Sequence, residues 1–178
     1  ESLQLGGLAP TFPFSSWIVN QVAEGATGNS GTVTINAPQL SVAEGARIQT
    51  LSQGAGNAGD IAINASAIAV DGSAPTSGNP PDLNSPDVFE SILNTQIGSQ
   101  TLASGNSGTV GVTADELTLT DGGQVGTLVG ANSTGNGGKV TVNARAIEAR
   151  RAVATNPLIL CGINSYTLGA GLGGSVEI

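Results

Sequence analysis

Residues 28–55, GNSGTVTINAPQLSVAEGARIQTLSQGA, decide the fold, because the segment recurs along the chain. Its opening returns as GNAGDIAINA from Gly56, GNSGTVGVTA from Gly105, GNGGKVTVNA from Gly135 and, shortened, GLGGSVEI from Gly171. The common frame is G-N-x-G-x-[VI]-x-[VI]-[NT]-A followed by [LI]-x-[VLA]. Apolar residues inside it recur with period two: Val33/Ile35, Ile61/Ile63, Val110/Val112, Val140/Val142 and Val176/Ile178, then Leu40/Val42, Ile68/Val70 and Leu117/Leu119. Period two marks a strand with one buried face, since successive side chains leave opposite sides of the backbone. An amphipathic helix would space them about 3.6 residues apart.

A third apolar position follows at Ile48, Ile97, Val125 and Ile163. Each copy therefore reads as three short strands divided by Gly, Asn and Pro corners, one turn of a coil. The copies start 28, 49, 30 and 36 residues apart, which is the spacing of a solenoid that carries insertions. A single coil cannot bury its apolar face. Stacking sets Val33 over Ile61 over Val110 over Val140 and pairs the backbones in parallel ladders. Parallel connections favour the right-handed crossover, so the expected fold is an all-β, right-handed parallel β-helix of about five coils in a single domain, residues 1–178. The chain starts within a coil and stops at a first strand, so it is expected to be a piece of a longer protein. Open coil ends present unpaired strand edges, and end-to-end self-association is expected from them.

Three segments interrupt the repeat after its second strand: 8–17, 73–90 and 152–161. They belong to alternate coils and leave from one corner, so the expected outcome is a compound loop surface with about 10 Å between neighbouring loops. The first holds Phe12 and Phe14 and ends at Trp17. The second carries four of the eight prolines with Asp82, Asp87 and Phe89, and the third follows Arg150-Arg151. These eight residues form the candidate ligand or partner patch, since regular coils offer only small outward side chains such as Ser41, Ala69 and Thr118.

Composition narrows the chemistry. Only five aromatics, no Met and no His leave Val, Ile, Leu and Ala to fill the core. Glycine, 27 of 178 residues, concentrates at the G-N-x-G corner, where the backbone needs positive φ or passes close to the next coil. The Asn columns 29/57/106/136 and 36/64/113/143, the latter with Thr at 113, read as corner ladders bonding to neighbouring backbone. The lone Cys161, among apolar residues, reads as a structural thiol with no disulfide partner. A net charge of −8 opposes nucleic acid and anionic membrane, and no apolar run is long enough for a spanning helix.

Without histidine there is no Ser/His/Asp triad and no His general base. The outward positions of the first strand offer only Asp60 and Lys139, two coils apart among neutral neighbours, so the chain reads as not an enzyme. The 82–90 carboxylates lack the alternating spacing of a calcium loop, and no metal or cofactor is expected. Outward Thr32/Thr34 starts an ice-binding type of ladder that Asp60/Ala62 and Thr109/Gly111 break at once.

The string G-N-x-G-x-V-x-I-N-A, followed by L-x-V-x-x-G and a short I-x-T/S strand, resembles the repeats of filamentous-haemagglutinin-like exoproteins of two-partner secretion, especially the cyanobacterial type. The likeness spans residues 27–72, 91–150 and 163–178 and is clearest over 28–50. The resemblance implies an extracellular, surface-associated adhesin or fibre shaft, with a surface glycan or another protein as partner. It brings no catalytic residues. The amino-terminal secretion domain is not recognisable, and the insertions exceed the plain repeat. The alternative reading is a carbohydrate-active β-helix enzyme or a polysaccharide-binding protein.

Overall fold

The computed structural model describes residues 1–6, 16–73, 95–150 and 161–178. Every regular element among them is a strand: β1 Ser2–Leu5, β2 Trp17–Val22, β3 Val33–Asn36, β4 Gln39–Ala43, β5 Arg47–Ser52, β6 Ile61–Asp71, β7 Gln96–Thr101, β8 Val110–Thr120, β9 Gln124–Val129, β10 Val140–Arg150, β11 Gly162–Thr167 and β12 Val176–Glu177. They pair in two sheets. The 7-stranded sheet runs β1-β4-β6-β8-β10-β12, with β3 also on β6, and the 5-stranded sheet runs β11-β9-β7-β5-β2.

All pairings are parallel and none slips. Val33, Ile61, Val110, Val140 and Val176 stand in one column. Leu3, Leu40, Ile68, Leu117 and Ile147 make the second, and Ile18, Ile48, Ile97, Val125 and Ile163 make the third, on the other sheet. The three apolar columns are those the period-two pattern predicts. Val110, Ile97 and Val125 are fully buried, whereas the preceding Thr109 is exposed, so the register is the expected one. The described residues are all-β and parallel, an arrangement compatible with a β-helix or solenoid.

Two of the three short strands expected in each copy are one strand in most of them. β6, β8 and β10 each run 11 residues, and the pairing steps over Ser66, Asp115 and Arg145 at a shared bend. In the first copy β3 and β4 stay separate because Pro38 lies between them and has no N–H to donate. Its carbonyl accepts instead from Ser66 (3.0 Å) and Ala67 (3.2 Å) of the next level.

The core has an aliphatic half and a hydroxyl half. The aliphatic columns fill the space between the large sheet and the first residues of each small-sheet strand. Further along those strands the inward residues are mostly Ser and Thr, with Asn20, Val22 and Val129 in the same columns, and the hydroxyls bond to the glycine corners. Thr50 Oγ1 donates to the Gly59 carbonyl at 2.5 Å, Ser99 Oγ to the same oxygen at 3.2 Å, Thr101 Oγ1 to Gly105 at 2.5 Å and Thr167 Oγ1 to Gly171 at 3.1 Å. Ser52 caps Gly56 in the same way. Composition alone predicts a purely aliphatic core; the corners, whose carbonyls would otherwise be buried without partners, require this second half.

The glycines of the G-N-x-G corners do not adopt positive φ. Among the described residues the glycines with positive φ are Gly25, Gly45, Gly122 and Gly162. What the corner needs is close approach: a Cβ on Gly56, Gly105, Gly135 or Gly171 would fall on the carbonyl oxygen of the glycine one level below, and Gly59, Gly108, Gly138 and Gly174 are packed alike. At the base of the first column, Gly28 has nothing within 4 Å of that position. Asparagine does what its column predicts. The Asn29, Asn57, Asn106 and Asn136 side-chain oxygens accept in turn from the N–H of Asn57, Asn106, Asn136 and Leu172 at 2.8–2.9 Å.

Gly105→Ala is expected to lower stability by about 3 kcal/mol or more, a Tm drop on the order of 10 °C, because a backbone oxygen cannot give way. Gly28→Ala, at the same place in the motif, should change stability by no more than about 0.5 kcal/mol. Equal melting temperatures for the two variants would contradict the stacking.

Candidate binding surfaces

The three insertions leave and re-enter at one corner. In the copies without insertion this corner is a tight turn with both central residues at positive φ: Glu44-Gly45, at 55° and 77°, and Asp121-Gly122, at 49° and 97°. The turns close through Ala46 N–H to the Ala43 carbonyl (2.9 Å) and Gly123 N–H to that of Thr120 (2.8 Å). The insertion roots lie on the levels between. Arg47 N–H donates to the Ser16 carbonyl (3.0 Å), Gly45 N–H to the Thr95 hydroxyl (3.0 Å), Gly72 N–H to the Thr120 carbonyl (2.9 Å) and Asp121 N–H to that of Arg150 (3.2 Å). Root ends meet: Ser16 Oγ donates to the Gly6 carbonyl at 3.1 Å, and Cys161 Sγ lies 3.6 Å from that of Arg150. Cys161 is half-buried and packs against the core, in keeping with a structural thiol.

Of the predicted patch, the structure describes Trp17 and Arg150. Phe12, Phe14, Asp82, Asp87, Phe89 and Arg151 lie outside the described residues, as do most of the three insertions and the 82–90 carboxylates. Trp17 opens β2, is 55% exposed, and stands against Arg47, whose guanidinium carbon is 5.4 Å from the ring centroid. Arg150 ends β10 and pairs with Glu148 at 3.3 Å. Four levels separate the two residues, roughly 20 Å of ladder, so they do not form one contact surface by themselves.

The outer face of the small sheet is a surface that the sequence reading missed. Its columns are Trp17-Arg47-Gln96-Gln124-Gly162, Val19-Gln49-Gly98-Gly126-Asn164 and Gln21-Leu51-Gln100-Leu128-Tyr166. Gln49, Gln96, Gln100 and Gln124 are all buried. Gln49 Nε2 donates to Gln100 Oε1 at 2.5 Å and Asn164 Nδ2 to Gln124 Oε1 at 3.0 Å. Among the described residues Gln124 Nε2 has no hydrogen-bond partner, and Gln124 lines a small space of about 10 Å³, room for one water. Burial raises the pKa of the Tyr166 hydroxyl, because the phenolate would lose hydration. The signal was legible as Q-[IV]-G-[ST] at Gln96 and again at Gln124.

A third surface is a trough of about 400 Å³ along the bend of the large sheet. Its floor is Ala37, Ala65 and Ala114, one wall is Asn36, Asn64 and Thr113, and the other is Ser66 and Asp115. The register carries it onward to Asn143 and Ala144. Asn64 Nδ2 donates to Asn36 Oδ1 at 3.0 Å, and Arg145 holds Asp115 at 2.7 Å. The ladder predicted for this column stops at Thr113, whose short side chain ends the amide pairing.

Asp60 and Lys139, the two residues weighed for catalysis, both have structural partners. Asp60 Oδ1 accepts from Thr109 N–H at 2.7 Å, and Lys139 forms an ion pair with Glu177 one level on. Among the described residues no group of three or more His, Cys, Asp or Glu could hold a metal ion, and no helix is long and apolar enough to cross a membrane. No protein-family model matches the chain, and neither a curated protein nor a solved structure matches it.

The Lys139 hydrogen bond and charge lower the pKa of Glu177 below its ordinary 4.5. The pair therefore contributes stability above the unfolded value and loses it as pH falls through the folded one. Lys139→Met should melt below wild type at neutral pH by a small margin that closes under acid conditions. A margin that persists unchanged at pH 3 would assign it to packing instead of charge.

Proposed function

We propose that this chain is an extracellular structural or adhesive module, a right-handed parallel β-helix of about five coils that serves as a surface adhesin or fibre shaft of the filamentous-haemagglutinin-like kind. One observation carries the reading: the register runs without a slip through every level while the insertions root at one corner on alternate levels. Solenoids of this kind tolerate insertions because each level contacts only its neighbours, so a continuous ladder can carry variable loops. The crossover rule for parallel strands supplies the hand of the winding. The strand edges of β1 and β12, and the exposed Leu172, Val176 and Ile178, suit the addition of a further parallel level, the contact through which a shaft lengthens. Recognition of a surface glycan or another protein is assigned to the insertion corner, where Trp17 and Arg150 stand.

A carbohydrate-active enzyme is the weaker reading, because Asp60 and Lys139 are engaged in backbone and ion-pair contacts on separate levels. Polysaccharide binding without catalysis is compatible with the adhesive role, and the neutral trough on the large sheet favours it.

Three residues separate Ala43 from Arg47 and Thr120 from Gln124 at the tight corners. Replacing residues 72–94 by Asp-Gly, which with Thr95 restores that count, should therefore keep a cooperative melt and the parallel-β circular dichroism spectrum. Beads coated with this variant should lose the adhesion to extracellular matrix protein that the parent confers. Retained adhesion would move recognition off this corner, and loss of the fold would make the segment a structural strap.

A further inference from the structure

The bend of the large sheet presents the same neutral hydrogen-bonding chemistry at each level. Asn36, Asn64, Thr113 and Asn143 repeat along one wall, and the levels of a parallel ladder are about 4.8 Å apart. Asn64 has spent one amide hydrogen on Asn36, but its oxygen, the Thr113 hydroxyl and the Asn143 amide meet no protein partner among the described residues. An amide and a hydroxyl each donate and accept, as sugar hydroxyls do. We propose that this trough is a docking track for a linear neutral polysaccharide laid across the strands, one level after another.

Charge and backbone satisfaction select this occupant. A chain of net charge −8 repels a polyuronate or a nucleic acid, and the carboxylate in the trough, Asp115, is already neutralised by Arg145. An extended peptide would need main-chain partners, which a sheet edge supplies and a sheet face does not. Here the local backbone is consumed: Ala37 N–H goes to the Asn64 carbonyl at 3.1 Å, and Ser66 and Ala67 N–H go to that of Pro38. Only side-chain groups are offered, spaced for a polymer that carries its own hydroxyls. The alanines of the floor pack against the core, so the exposed Asn, Thr, Ser and Asp rows on either side supply the polar contacts. The inference deepens the adhesive reading, which it rests on, but places this contact on the shaft face and away from the insertion corner.

The test uses the whole chain on immobilised neutral glucan and xylan, with polygalacturonate as the anionic control. Wild type should bind a neutral polymer saturably and leave polygalacturonate unbound. Thr113→Trp, which fills the trough from an exposed wall position, should weaken binding by about tenfold or more, and Asn64→Ala by a few-fold, the loss of hydrogen bonds at one level. Melting temperatures of both should stay near that of wild type, and Thr118→Trp, on the same sheet but outside the trough, should bind as wild type does. Absence of neutral-polymer binding, preference for polygalacturonate, or unchanged binding by folded Thr113→Trp would each overturn the proposal. Binding lost on replacing residues 72–94 but kept by both trough variants would overturn it too, while leaving the adhesive reading in place.

Discussion

The contact on which the rest of this structure depends is between a glycine α-carbon and the carbonyl oxygen of the glycine one level below. It recurs at Gly56, Gly105, Gly135 and Gly171, and again three residues on at Gly59, Gly108, Gly138 and Gly174. No other residue type fits at that distance, because a Cβ would occupy the place of the oxygen. The corner is thereby drawn as close to its neighbour as strands are in a ladder, even though it is not itself a strand. The asparagine side chain between the two glycines then supplies an acceptor for the N–H that faces it. Glycine sets the distance, and asparagine sets the direction.

A tightly drawn corner makes a demand on the opposite sheet. Its carbonyls turn inward, and they would be buried without partners if the facing side chains were aliphatic. The Ser and Thr columns of β5, β7, β9 and β11 meet that demand, and β5, β7 and β9 are buried along their whole length although half polar. Ile48, Ile97 and Val125 each sit two residues before the first hydroxyl and close the aliphatic half. One short strand therefore serves two kinds of interior, with the change of chemistry falling between consecutive inward positions.

The columns were legible because alternation is a local property: Val110 and Val112 point one way whatever lies around them. The glycine and asparagine corners were legible because they repeat. What could not be read was the junction between the first two strands. Whether Ala65 to Ala67 is a corner or a bend depends on the neighbouring level's carbonyls, and only Pro38, which lacks an N–H, advertises a break. The buried glutamines escaped notice for a related reason. Gln49, Gln100 and Gln124 occupy outward positions where a polar residue is ordinarily solvated, and burial of an outer face leaves no mark in a period-two pattern. Of the candidate patch, Trp17 and Arg150 stand at the corner where insertions were expected, but on levels too far apart to act as a pair.

Tight turns at Glu44-Gly45 and Asp121-Gly122 alternate with insertion roots at Gly6, Gly72 and Arg150. This gives the stack of levels a parity: odd and even levels are not interchangeable. Neighbouring roots are two levels apart, about 10 Å, which is the separation that packed layers of chain require. Levels can then be gained or lost only in pairs if each insertion is to keep room of its own. A single level removed, such as 105–134, would bring two roots onto adjacent rungs with half the necessary clearance. The hereditary unit of this architecture is accordingly the two-level pair, although the sequence repeat advertises one level at a time.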